Sequence, residues 1–571
     1  MKNINIKIIR IKKKFLWCFI LITIFLIKLY KSRERFLHHP NEEEEIDSFY
    51  DDFNRQYGSG ENRMINYGYN TIKHSELLNL LLNDKENSSN GKVEENEIEN
   101  TIKQLFLYSL QHPLQPQQFE ELRQRVELHT KLWHTLFGTY PNEFKVSENS
   151  TEPFQYKEIL IKKTKFLSLK WKRFSSLSDY KKLLAMVHES LYSWLYGFRY
   201  SSLSDILKSS NGKGIVICTG DKYFKYVHST INSLRSILHC QLPIEITYLG
   251  DNDLSSNHRK LLEEEFDNIY FNDISNTFKN SIVGIEGWAI KPFALLASRF
   301  EEIIMLDADV TYLRNPEELF EEEGYRKTGT FFFKDRTLNQ GNHNGAKWLK
   351  SWMIDPLPVT KESRFWKETS EHEMDSSTVV IHKTKTLLGL LAVCKFNEYY
   401  TRYEVVYQKV LGDKETFWMG FDMARQPYHM NHQPSLFIGE LDLEDESDKK
   451  LCGHVGHLSG DGKLLFWNGH LIKNKAVDLY AIQLLHFNAY VVDNYKEKKW
   501  SKDLSCLNLN GIKYNHFNKE DEETINEIIK KENTLHYVVK PFKTKEQIKI
   551  KNIEKNKNSK DKKKSKHHKK N

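Results

Sequence analysis

Two aspartates one residue apart, Asp307 and Asp309, close the apolar run Ile303-Ile304-Met305-Leu306. A short β-branched and aliphatic run that ends in polar residues reads as a buried strand. Carboxylates at the end of such a strand suit a divalent cation. Side chains alternate along a strand, so the two acids share a side if the strand continues, and a turn there parts them. Mg²⁺ or Mn²⁺ held by few carboxylates completes its shell with water and substrate phosphates, which fits a nucleotide-diphosphate donor. Asp307 and Asp309 are therefore candidate metal ligands, and Asp307 is also a candidate contact for the donor. Exposed acids at an ordinary turn would look the same, because D-x-D alone is a weak signal.

Three later stretches carry candidate partners. Glu373-Met374-Asp375-Ser376-Ser377 precedes a strand-like TVVIHK and sets polar side chains at a strand edge where a sugar ring can be held. Gly412-Asp413-Lys414-Glu415-Thr416-Phe417 opens a short helical segment, whose charges either bind substrate or cap the helix. Phe466-Trp467-Asn468-Gly469-His470 ends in an imidazole able to ligate Mn²⁺, and Lys473, three residues on, offers an ammonium to a diphosphate. His454 and His457 compete with His470 for the ligand role.

These residues need a scaffold. Gly214–Gly220 is a β-branched strand, Tyr226–Leu238 a helix and Ile244–Leu249 a second strand, which together make a βαβ unit with a parallel sheet. A helix over Lys291–Arg299 leads into the strand that ends at Asp307. Open α/β sheets bind ligands beyond the carboxyl ends of their strands, and Asp307 and Asp309 sit there.

The 571 residues carry a net charge of +7, concentrated at the two ends, so residues 36–540 are net acidic. An acidic body argues against nucleic acid as the substrate. At 39% hydrophobic and 13% aromatic the chain has the composition of a folded protein with a large core. Phe15–Tyr30 is apolar apart from Lys28 and follows Lys12-Lys13-Lys14, the pattern of a transmembrane signal-anchor with a cytosolic N-terminus. No small-residue cleavage site follows, which argues against a removed signal peptide. The expected organisation is a cytosolic tail (1–14), anchor (15–30), low-complexity stem (31–100), helical N-terminal region (101–210), catalytic α/β domain (211–480), C-terminal extension (481–540) and basic tail (541–571). Asn87 and Asn149 stand in glycosylation sequons, and five cysteines lie beyond the anchor, an odd number that leaves the pairing open.

The run Gly287-Trp288-Ala289-Ile290-Lys291-Pro292 through Ser298 and Phe300-Glu301-Glu302, followed by Leu306-Asp307-Ala308-Asp309 and then Pro316 with Leu319-Phe320, resembles the fungal-type α-1,3-mannosyltransferase family (glycosyltransferase family 71). Asp375-Ser376-Ser377-Thr378 and Gly412–Phe417 are similar to later motifs of that family, with Ser377 standing where the family tends to have glycine. The resemblance, over roughly residues 214–473, implies a GT-A nucleotide-sugar-binding fold with a mostly parallel central sheet. It also implies a GDP-mannose donor, Mn²⁺ (or Mg²⁺), a glycan acceptor, retention of the α-configuration and a Golgi type II location. On this reading Asp375 and Lys414 are the catalytic candidates, with Asp375 touching the donor sugar. Lys291, Asp307 and Lys473 contact the donor, and Asp307, Asp309 and His470 hold the metal. Three other readings compete: a UDP-sugar transferase of the same fold, a haloacid-dehalogenase-like phosphatase using Asp307 as nucleophile, and a non-catalytic glycan binder.

Overall fold

The computed structural model describes residues 114–140, 152–168, 179–341, 343–442, 449–472, 484–496, 498, 500–501 and 505–534. The expected cytosolic tail, anchor and stem, both sequons, the basic tail and Lys473 lie outside the described residues. Among the described residues no helix is long and apolar enough to cross a membrane.

The first described elements are helices: α1 (Phe119–Phe137), α2 (Glu152–Lys163), α3 (Asp179–Tyr192) and α4 (Leu203–Lys208). In α1 the buried Phe119, Leu122, Val126, Trp133 and Phe137 recur at three-, four- and seven-residue steps, which makes one apolar stripe. Gly138 ends the helix at φ +77°, a left-handed conformation that glycine adopts without steric cost. Ser202 and Asp205 close the start of α4 as a capping box. The apolar faces do not form a core of their own. Phe119, Trp133, Leu184 and Trp194 share one cluster with Phe293, Leu390 and Phe417 from later in the chain. Polar ties reinforce the joint, with Lys157 Nζ 2.7 Å from Glu301 Oε2 and Trp194 Nε1 donating to Glu398 Oε1 at 2.6 Å.

From residue 213 the chain runs through β1 (Lys213–Cys218), α5 (Phe224–Ser236), β2 (Ile244–Tyr248), β3 (Ile269–Asp273), α6 (Ile290–Ala297), β4 (Glu302–Asp307), β5 (Val310–Tyr312), β6 (Thr330–Lys334), β7 (Met374–His382), α7 (Leu387–Phe396), α8 (Tyr399–Glu404) and α9 (Lys414–Met423). Six of the strands form a sheet in the order β3-β2-β1-β4-β7-β6. The neighbours β3, β2, β1 and β4 pair in parallel, and β7 runs antiparallel to both β4 and β6. Alternation along the strands splits the core. Val216, Ile303, Met305 and Val379 pack on one face, and Ile217, Ile304, Leu306 and Val380 on the other. Burying each such side chain stabilises the fold by ~1.5–3 kcal/mol.

A second sheet is almost wholly antiparallel in its pairings and stood outside the sequence expectation. It comprises β5 together with β8 (Leu436–Asp442), β9 (Lys450–Leu458), β10 (Leu464–Asn468), β11 (Ala489–Val492), β12 (Cys506–Asn508) and β13 (Asn515–His516). Its order is β13-β11-β8-β9-β10-β5, with β12 on β9. Residues 481–540, read from sequence as an extension, thus supply three strands to the sheet that β8, β9 and β10 begin. They also supply a final helix, α10 (Lys519–Thr534), whose Ile525 and Ile528 pack with Leu436, Trp467 and Tyr226. Cys452 and Cys506 form a disulfide between β9 and β12, while Cys218, Cys240 and Cys394 are free thiols.

Candidate active site

The register of the six-stranded sheet gathers the polar residues. Asp307 pairs with Cys218 across the parallel β1–β4 ladder, so both stand at carboxyl ends. Leu306 pairs with Thr378 on the antiparallel β7, so β7 brings its amino-terminal residues, Asp375 to Ser377, to that same end. Phe333 pairs with Asp375, and β6 therefore delivers Asp335, the residue just past its last strand position, beside them. Helix α9 begins at Lys414 with Asp413 before it, and α6 contributes Lys291 from its first turn.

Two ammonium groups, Lys291 buried and Lys414 mostly so, organise these carboxylates. Lys291 Nζ lies 2.7 Å from Asp307 Oδ1 and 3.9 Å from Asp413 Oδ2, and it donates to the Ser376 carbonyl at 3.0 Å and the Ser376 hydroxyl at 3.2 Å. Ser376 Oγ in turn donates to Asp413 Oδ2 at 3.1 Å. Burial alone would lower the Lys291 pKa, but Asp307 and Asp413 outweigh it and hold the ammonium above its ordinary range. Burial raises Asp413 to about 6 against the pull of Lys291. Lys414 Nζ pairs with Asp335 Oδ2 at 2.6 Å. Burial opposes both charges of this pair, yet attraction prevails, keeping Lys414 above and Asp335 below their usual values. Asp375 is the fourth anchored acid. Its Oδ2 is 2.9 Å from His457 Nε2 and its Oδ1 accepts the Ser377 N–H at 2.8 Å. Burial, the largest single influence, would raise its pKa, but the hydrogen bonds from His457 and the Ser377 N–H and the electrostatic pull of His457 together hold it below its ordinary value.

The sequence assigns Lys291 and Lys414 to phosphate or sugar, and the structure commits both to carboxylates of the protein. Asp307 keeps a side chain that is 26% exposed beside Lys291, so it remains open to solvent. The D-x-D acids do not continue one strand. A turn at Ala308 and Asp309 carries the chain from β4 into β5 and hence from one sheet to the other. Thr230 Oγ1 pins that turn by donating to the carbonyls of Ala308 at 2.9 Å and Val310 at 3.0 Å. Asp309 is buried, and its carbonyl accepts the N–H groups of Gly469 at 3.1 Å and His470 at 2.7 Å. The backbone thus joins the predicted ligands Asp309 and His470. The imidazole itself turns to α5 and α10, with Nε2 2.9 Å from Ser229 Oγ and 3.6 Å from Glu532 Oε2. Gly469, at φ +132°, has no room for a Cβ, which would fall 2.4 Å from His454 Nδ1. Among the described residues no three His, Cys, Asp or Glu side chains stand grouped to hold a metal ion. The donor types nevertheless suit one, since two carboxylates and an imidazole are ligands that Mn²⁺ accepts. Three strands precede β4 in sequence, so the aspartate-bearing strand does not open the fold as the phosphatase reading requires.

Sequence reasoning passed over Asp335, named Asp413 and Ser376 only within candidate stretches, and held His457 only as a rival to His470. Asp335 ends Phe331-Phe332-Phe333-Lys334 just as Asp307 ends its run, so the same strand-end signal was available there. His457 had no local signal, because its partner Asp375 lies 82 residues away.

Residues 212–459 match the family described as "Mannosyltransferase putative". The chain is 27% identical over 347 residues to the α-1,3-mannosyltransferase MNT3 of Saccharomyces cerevisiae, covering 53% of this chain and 54% of that protein. It is 26% identical over 328 residues to α-1,3-mannosyltransferase MNN1 of the same yeast, covering 47% and 42%. The chain spans about half the length of the curated relatives it matches. Among solved structures, the galactosyltransferase LgtC in complex with donor and acceptor sugar analogues aligns at a TM-score of 0.26 and 14% identity, over 37% of this chain and 70% of that one. Through residues 212–459, which hold the paired charges at the carboxyl end of the sheet, the chain is similar to the fungal-type α-1,3-mannosyltransferases.

Proposed function

We propose that this chain is a metal-dependent, retaining glycosyltransferase of the GT-A fold that moves mannose from GDP-mannose to a glycan acceptor. The observation that carries this reading is the convergence of Asp307, Asp335, Asp375, Asp413, Lys291 and Lys414 where an open α/β sheet takes its ligands. The names of the yeast relatives favour mannose as the transferred sugar.

Each residue has a share in that chemistry. Asp307, Asp309 and His470 are the proposed ligands of Mn²⁺ or Mg²⁺, which when bound neutralises charge on the departing diphosphate. Lys291 fixes one oxygen of Asp307 and leaves the rest of the carboxylate in solvent. Asp375, kept ionised through His457, is suited to stabilise the positive charge that develops on a sugar losing its leaving group. Lys414 orients Asp335 on the far side of Asp375. Lys473, three residues after His470, is the proposed ammonium contact of the diphosphate.

We further propose a single-pass type II protein of the Golgi membrane, with residues after Tyr30 in the lumen. The flanking Lys cluster supports the orientation, and the Cys452–Cys506 disulfide supports an oxidising compartment.

The decisive experiment offers the purified protein GDP-mannose and a panel of UDP-hexoses, with and without Mn²⁺, and scores nucleoside diphosphate release. Release of GDP only from GDP-mannose with Mn²⁺ is expected. Release of UDP instead would replace the donor, and no release from any sugar nucleotide would leave the glycan-binding reading in its place.

A further inference from the structure

Large aromatic rings stand uncovered beside the paired charges. Trp288, three residues before Lys291, is 56% exposed, and its indole lies against Gly412. A Cβ at Gly412 would fall 2.8 Å from Trp288 Cε3, and the φ of +65° there is left-handed, so glycine alone lets the ring settle. Gly412 adjoins Asp413, whose carboxylate faces Lys291. The ring therefore sits one residue from the proposed catalytic cluster.

The exposed surface continues onto α8. Tyr400 is 58% exposed, and Tyr399 and Tyr403 are also open to solvent. These rings are held rather than loose. Tyr399 meets Tyr400 and Tyr403 edge to face, with centroids 5.3 and 5.2 Å apart. The fully buried Arg402 supports them, its guanidinium 5.2 Å from the Tyr399 ring and 4.6 Å from that of Tyr403. Tyr403 donates its hydroxyl to Glu286 Oε1 at 2.8 Å, two residues before Trp288. Tyr399 packs on Gly284, where a Cβ would fall 2.7 Å from its ring. Segment 284–288 thus links the tyrosines to the tryptophan in one continuous surface.

The chemistry of this surface selects its occupant. A lipid surface is met by Trp, Phe and Leu rimmed with Lys and Arg, and a subunit interface by an aromatic-rich core depleted of charge. Here flat rings carry hydroxyls at their edges, with the carboxylate of Glu286 among them. An apolar face with a hydrogen-bonding rim matches a sugar ring, whose C–H groups lie on one face and whose hydroxyls lie round the edge. The acidic rim disfavours phosphorylated or acidic glycans. We propose that Trp288 and the tyrosines of α8 form the acceptor platform, binding a neutral oligosaccharide with its reacting end over Trp288 and its next sugars over Tyr399, Tyr400 and Tyr403. This rests on the transferase reading above.

The test compares methyl α-mannoside with α-linked mannotriose as acceptors in steady-state kinetics. Trp288→Ala is expected to raise the acceptor KM about tenfold for both, in the range of a binding hot spot, with Trp288→Phe recovering part of the loss. Tyr400→Ser, at the most exposed ring, is expected to raise the KM for mannotriose and not for methyl α-mannoside, and it keeps the test informative if Trp288→Ala unfolds. Calorimetric titration with mannotriose, with 6-phosphomannose as the acidic control, gives a readout free of turnover. Wild-type binding that both variants weaken supports the platform even if no sugar nucleotide is hydrolysed, an outcome that would defeat only the transferase reading. Unchanged KM and affinity in Tyr400→Ser and Trp288→Phe would overturn the platform, as would preference for the phosphorylated sugar, or a loss of self-association as their sole effect.

Discussion

Lys291 sits among three acceptors, and its carboxylate neighbours keep it charged. Its ammonium outlasts burial because Asp307 and Asp413 surround it, while burial lifts Asp413 from the ordinary 3.8 to about 6 against the pull of Lys291. In that interval the folded protein binds a proton that the unfolded chain has lost, so stability falls as pH rises through it. The full displacement corresponds to a loss on the order of 3 kcal/mol at neutral pH. Asp413→Asn is therefore expected to raise Tm relative to the wild type at pH 7.5, with the gap closing toward pH 4; a gap that widens in acid would contradict the assignment. Asp375 is the opposite case, since its hydrogen bond from His457 favours the carboxylate. Asp375→Asn keeps the shape and removes the charge, and we expect kcat to fall by about 10²–10³ with little change in Tm. Normal turnover by that variant would take Asp375 out of the chemistry.

The strand that runs the other way, β7, does most to assemble the site. Had it been parallel to β4, its amino end with Asp375 and Ser376 would lie at the opposite edge of the sheet. Helix α9 depends on close packing for its placement. A Cβ at Gly420 would fall 2.7 Å from Val393 N and 2.8 Å from Val393 Cγ2, and one at Gly389 would fall 2.8 Å from the Phe421 ring. Helices α7 and α9 thus meet through glycine on each. Gly420→Ala forces them apart, and chemical denaturation is expected to show a loss of about 1–3 kcal/mol. Because Asp413 and Lys414 ride at the start of α9, kcat should fall with it. A variant that loses stability with full activity would show that the start of α9 moves independently of this contact.

Across the whole described structure, the elements of the candidate site are braced on two sides. The N-terminal helices complete the apolar cluster under α6 and α7, and the second sheet supplies His457 to Asp375 and the Asp309–His470 junction. The disulfide fastens β12 to β9, five residues before His457 on the same strand. Cys506→Ser is expected to lower stability by about 2–4 kcal/mol. Dithiothreitol should lower the wild-type Tm toward that of the variant, measured by differential scanning fluorimetry, and leave the variant itself unchanged. A wild-type melting curve that ignores the reductant would argue that the bond does not form in the protein.

The amino-acid order alone determined the local features: the buried runs Gly214–Gly220 and Ile303–Leu306, the βαβ alternation, the acids placed where a strand stops, and the helix opening at Lys414. Each is set by neighbours within a few residues, through hydrophobic period and strand-end polarity. The short strands of the second sheet escaped that reading, since they are stabilised by pairing with distant partners more than by their own pattern. Which charges meet was likewise left to the tertiary structure. Lys291 with Asp307, Lys414 with Asp335, Asp375 with His457 and Cys452 with Cys506 join positions 16 to 82 residues apart. Their encounters follow from strand order and antiparallel register, and no local spacing encodes either one.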